Sequence, residues 1–164
     1  MDALTDKQIR RSMVNCSRGE ADRMTIPFDV TGLDWDTLDF LGWTDPKAPL
    51  RAYIVAWHDG EPVGIGLRVA DSQGTRRLAG LCGLCRSTRT GMVKLFTARR
   101  ATKASQEWNS LGMYMCADLA CSKYARLEKA TGDFMPDGTL GADERAAGLR
   151  VRVGRFLGEV LSAS

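Results

Sequence analysis

"LCGLCRS" at residues 81–87 and "MCADLACS" at residues 115–122 hold four of the five cysteines in this chain. The pattern is Cys82-x2-Cys85, thirty residues, then Cys116-x4-Cys121. A C-x-x-C turn can bring two sulfurs to one side, and four thiolates suit the tetrahedron that zinc prefers. Each pair follows a segment that reads as a strand, and the second pair straddles a predicted helix start. There the helix dipole and free amides favour thiolate charge, with Asp118 expected as the N-cap. Strand, knuckle, hairpin and a last ligand in a first helical turn is the order of a treble-clef zinc finger.

Other uses of these thiols fit less well. A redox C-x-x-C leaves Cys116 and Cys121 unexplained. An iron–sulfur cluster also takes four cysteines, but nothing else in the chain suggests electron transfer. A catalytic zinc keeps one position open for water, whereas four thiolates close the sphere. No His-x-Glu stands beside them, as a zinc deaminase would require. The expectation is one structural zinc on Cys82, Cys85, Cys116 and Cys121, with no catalytic residues. Cys16 reads as a small buried residue. The single histidine, His58, reads as an exposed turn residue.

Around this centre the 164-residue chain reads as one α+β domain. Thr5 and Gln8 have capping-box spacing, flanked by Leu4 and Ile9 as a hydrophobic staple. They open a helix expected to end near residues 15–18, with a further turn at "GEADRM". Residues 28–50 read as an irregular loop anchored by Trp35, Phe40 and Trp43. Residues 51–70 read as a hairpin around Asp59-Gly60. Its returning strand is bare on one face at Gly64 and Gly66, so close packing is expected there. Strands are expected at 76–82, 92–100 and 112–116. A helix of about three turns follows, carrying Leu119, Tyr124 and Leu127 and ending near Gly132. The last element is an amphipathic helix over 142–161, with Leu149, Val153, Phe156, Leu157 and Val160 inward and Arg145, Arg152, Arg155 and Glu159 outward.

No run of apolar residues is long enough to span a bilayer, and "MDALTDKQIRRS" lacks the apolar core of a signal peptide. A reducing, cytoplasmic setting is expected, in which paired cysteines favour metal over disulfide. Net charge is +3 but unevenly spread. Residues 72–106 carry eight Lys and Arg and no acid, a basic block suited to an anionic partner.

The motif "LCGLCRS", a basic strand and loop, and "LGMYMCADLACSKY" together resemble the FBP domain. This is the elongation factor G-binding, treble-clef zinc-finger domain of FusB-type fusidic acid resistance proteins. "VNCSRGEADRM" and "LDWDTLDFLGWTDPKAPLRAYIV" are similar to its stand-alone members, so the resemblance runs over roughly residues 3–160. It implies a single domain over 1–164, with the zinc-finger part about 76–131. The expected fold is a small antiparallel sheet with an N-terminal helix and a C-terminal amphipathic helix. FusB-type proteins also carry a helical bundle, which this chain of 164 residues is expected to lack. The resemblance implies a non-enzymatic cytoplasmic protein that binds elongation factor G and acts on ribosome-bound factor. Lys94, Phe96, Arg99, Arg100, Lys103, Trp108 and Tyr114, beside the zinc motif, are the expected partner-binding residues, giving charge steering and aromatic anchors. The alternative is a small zinc protein that contacts ribosomal or other RNA through the basic 76–103 block. A monomer is expected.

Overall fold

The computed structural model describes residues 1–70, 79–101, 109–128 and 139–162. Its centre is a five-stranded antiparallel sheet in the order β1-β2-β3-β6-β7. The strands are β1 (Leu41–Thr44), β2 (Arg51–His58), β3 (Glu61–Val69), β6 (Val93–Arg99) and β7 (Ser110–Cys116). Between β3 and β6 the chain forms a separate ribbon of β4 (Ala79–Leu81) and β5 (Thr88–Thr90). The helices are α1 (Asp6–Arg11), α2 (Arg18–Arg23), α3 (Cys121–Ala125) and α4 (Ala142–Leu161). Among the described residues no helix is long and apolar enough to cross a membrane.

The β2–β3 hairpin forms where expected. Asp59 and Gly60 both take positive φ, 51° and 81°, the geometry of a tight two-residue turn. Alternation along β2 sends its residues to two cores rather than to one core and water. Ala52, Ile54 and Ala56 meet Leu149, Val153, Phe156, Leu157 and Val160 of α4. Tyr53 and Val55, with Trp57 alongside, meet Leu4, Ile9, Trp35 and Trp43 of the N-terminal segment. That double burial explains why "AYIVAW" has hardly a polar residue.

Several expected elements differ. The loop over 28–50 contains β1, whose Leu41 and Trp43 pair with Val55 and Tyr53. Two apolar positions around Gly42 are too short a pattern to announce a strand. Gly42 is needed there, because a Cβ would stand 2.8 Å from the Cβ of Leu119. Trp35, Phe40 and Trp43 are buried as anticipated.

The first helix keeps its capping box on Thr5 and Gln8 but stops at Arg11. The cause is a competing partner. β3 pairs with β6 only from Leu67 onward, which leaves the Gly64 amide and carbonyl free. Ser12–Val14 takes them: the Gly64 N–H donates to Ser12 O, and the Val14 N–H donates to Gly64 O, both at 2.9 Å. "GEADRM" lies within and just after α2, which has a capping box of its own on Ser17 and Glu20.

After Cys121 the helix is one short turn rather than about three, since Leu127 enters the left-handed region at φ 60°. α4 has its expected bounds. Arg145 is not on its wet side, however. It is buried, and its Nε donates to Ala125 O at 2.7 Å, tying α4 to the end of α3. His58 is half-buried rather than exposed, with its ring against Gly154 and Gly158 of α4.

Candidate metal centre

Cys82 and Cys85 sit on the turn that joins β4 to β5. The turn closes through Cys82 N–H to Ser87 O at 2.9 Å and Arg86 N–H to Cys82 O at 3.0 Å. Arg86 adopts a left-handed φ of 64°, which reverses the chain just after Cys85. The Gly83 N–H donates to Tyr114 O at 2.7 Å and so hangs this knuckle on β7. A Cβ on Gly83 would stand 2.9 Å from the Met113 side chain, so that approach needs glycine. Cys116 ends β7 and Cys121 opens α3.

The four Sγ atoms lie within 4.8 Å of one another. Cys82 and Cys121 approach to 3.7 Å, and Cys85 and Cys116 to 3.6 Å. Thiolates about 2.3 Å from a tetrahedral zinc are separated by about 3.8 Å, so the donor set fits the ion. All four residues are buried. Bare thiols this close share protons. Hydrogen bonds from Cys116 and Cys121 hold Cys82 and Cys85 below the ordinary thiol value. Those from Cys116, Cys82 and Cys85 push Cys121 well above it. Such a divided network, in a site closed to water, is what a divalent cation replaces when it takes four thiolates. These residues form a site for one structural zinc ion.

The shell around the sulfurs holds a residue that the sequence reading missed. Ser87 is fully buried, with its hydroxyl 3.0 Å from Cys85 Sγ and 3.8 Å from Cys116 Sγ. A polar side chain two positions after the second ligand of a knuckle is the only signal it gave. Asp118 is near the helix but is not its cap, which is Ala120. Its carboxylate instead accepts from the Tyr124 hydroxyl at 2.7 Å and the Ala120 N–H at 3.2 Å. The Arg89 guanidinium lies 4.4 Å from the Tyr124 ring centroid and 3.8 Å from Asp118, bracing β5 against α3.

The expected partner-binding residues separate. Phe96 is fully buried in the main core and cannot contact a partner. Alternation along β6 places it on the core side. Arg100 is occupied internally: its Nη1 donates to Glu159 O at 2.7 Å and Ser162 O at 3.2 Å, capping α4. Tyr114 is 57% exposed, and Lys94 and Arg99 are exposed. Cross-strand pairing puts Tyr114 beside Leu95 and Arg99 beside Ser110, on the side of the sheet opposite Phe96. Lys103 and Trp108 lie outside the described residues.

The chain matches the family described as FBP C-terminal treble-clef zinc-finger over residues 8–160. A solved structure, "Structure of the fusidic acid resistance protein FusC", is similar at 22% identity and a TM-score of 0.44. That similarity covers 62% of this chain and 44% of the other, so this chain spans less than half of FusC's length. None of the curated proteins compared matches it.

Proposed function

The chain belongs to the FBP C-terminal treble-clef zinc-finger family, and from that membership we propose a non-enzymatic protein that binds elongation factor G. Acting as a single-domain monomer in the cytoplasm, it engages the ribosome-bound factor and promotes its release or modulates translation. The observation that carries this reading is the family match over residues 8–160. Zinc supplies a cross-link when bound, joining the β4–β5 knuckle to β7 and α3. The chain's own residues supply the contact surface.

That surface is the open face of β6 and β7. Tyr114 is its aromatic anchor and Arg99 supplies charge, while Lys94, though exposed, lies on Phe96's side of β6 and outside this face. An exposed aromatic beside arginine is the composition that concentrates binding energy in protein interfaces. Direct RNA binding through the basic block has less support. Among its described cations, Arg89 is committed to Tyr124 and Arg100 to the end of α4, so part of the block's charge serves internal contacts.

The test is calorimetric titration of the zinc-loaded protein against its organism's elongation factor G at physiological salt. One-to-one binding at micromolar affinity or tighter is the expected result, weakened at least tenfold by Tyr114→Ala, as for a hot-spot residue. Absence of binding with zinc confirmed present would overturn the reading. A steep loss of RNA affinity with rising salt would then favour the second one.

A further inference from the structure

The N-terminal segment covers only part of the outer sheet face. Where it ends, beside β3 and β6, it leaves a cleft of about 280 Å³. Asn15 shapes its head like a short piece of strand. Its side-chain amide accepts from Gly66 N–H at 2.7 Å and donates to Gly66 O at 3.0 Å and Arg99 O at 2.9 Å. Arg51, Arg68 and Arg99 line the cleft, together with Tyr53 and Cys16.

Charge in this cleft is unbalanced. Among the described residues that line it, Glu20 is the one carboxylate, 3.6 Å from Arg99, against three arginines. Among the described residues neither Arg51 nor Arg68 makes a direct ion pair with a carboxylate, though Arg51 feels the Glu20 charge, and the two stand directly opposite each other in the β2–β3 pair. Like charges at that cross-strand position repel and destabilise the pair. An anion between them would reverse the sign of the contact. Guanidinium forks match the oxygens of phosphate, and a phosphate monoester near neutral pH carries close to two negative charges.

We propose that this cleft binds the phosphate group of a small phosphorylated ligand, with Arg51 and Arg68 as its principal contacts. The site is separate from the cysteine cluster and does not rest on the factor-binding reading, although it shares Arg99 with that face. Cys16 provides a built-in reporter, because it is the one described cysteine outside the metal centre and it lines the cleft.

The experiment uses the full zinc-loaded chain and inorganic phosphate, with chloride adjusted to constant ionic strength. The expected result is a saturable rise in the thermal midpoint and a matching slowing of Cys16 alkylation. Arg68→Gln and Arg51→Gln should each weaken phosphate binding about tenfold, the scale of a lost charge-assisted hydrogen bond. In phosphate-free buffer each should melt higher than the parent, since the opposed charges are gone. Competition by glycerol phosphate supports a small ester as the occupant. Competition by an RNA oligonucleotide alone would overturn that assignment in favour of polymer backbone phosphate. No saturable effect of phosphate, or unchanged binding by both variants, would overturn the site itself.

Discussion

Arg126 grips Asp39 with two nitrogens across 87 residues of sequence, Nη1 on one carboxylate oxygen and Nη2 on the other at 3.1 Å. The Asp39 side chain is 1% exposed and also accepts from Arg150 of α4 at 2.8 Å. The Asp39 N–H donates to Ser122 Oγ at 2.9 Å. One residue just before β1 thus fastens α3, α4 and the sheet together. Replacing Asp39 with Ala should cost about 2–3 kcal/mol, because two arginines lose a charged acceptor that is itself buried. Arg150 reaches solvent and can rehydrate, which keeps the loss below that of a fully enclosed pair. Urea unfolding of the zinc-loaded protein measures it, and Arg150→Ala should cost less.

Metal occupancy should divide the thiols into two classes. With zinc present and no denaturant, Cys16 alone should react with an alkylating reagent. After chelation all five cysteines should. Burial, then the nearby Glu20 charge, pushes the Cys16 thiol above its ordinary value. Its thiolate therefore becomes abundant only on the alkaline side, and the single reaction should accelerate with pH up to that raised value. Cys121→Ser should lose stoichiometric zinc by elemental analysis and expose the remaining thiols.

Gly66 should not tolerate a methyl group. A Cβ there would stand 2.5 Å from Cys16 Sγ. Gly66→Ala should destabilise by about 1–3 kcal/mol, the usual penalty for overpacking. The double variant with Cys16→Ala should recover part of that loss. A thermal-melt cycle over the four proteins checks the coupling.

Acid should weaken the loop around Asp45. Burial alone would push this carboxyl up. Hydrogen bonds from Thr25 N–H at 3.0 Å and Lys47 N–H at 2.9 Å outweigh that and hold it below its ordinary 3.8. A group with a depressed folded value stabilises the fold fully above its unfolded value and loses that contribution as pH falls through the folded one. The stabilisation should hold above about pH 4 and decay below it. Asp45→Asn should flatten that acid limb of stability against pH.

The cysteine spacing carried the metal centre because ligand geometry is local: a knuckle and a helix start are set by a few residues each. The β2–β3 turn and the Thr5–Gln8 cap were legible for the same reason, whereas the Ser17–Glu20 box went unread and Asp118 turned out not to be a cap. β1 was not, since its pairing depends on β2 and on the approach of Leu119 rather than on its own four residues. The end of α1 was misjudged because the free edge of β3 outcompetes another helical turn. Phe96 was placed on the wrong face because an isolated strand does not declare which side will be covered. The arginine cleft joins residues from β2, β3 and β6 whose juxtaposition exists only after pairing.

α4 comes after every strand in chain order, yet Leu149, Val153 and Leu157 complete the core that encloses the cysteine cluster. During synthesis, both cysteine pairs are therefore available before that core can shut. Metal taken up then needs only to find open thiols. Metal offered later must reach sulfurs already sealed beneath packed side chains. Zinc should therefore load faster onto the nascent or urea-opened chain than onto the finished fold, and a chelator should draw it from the finished fold slowly.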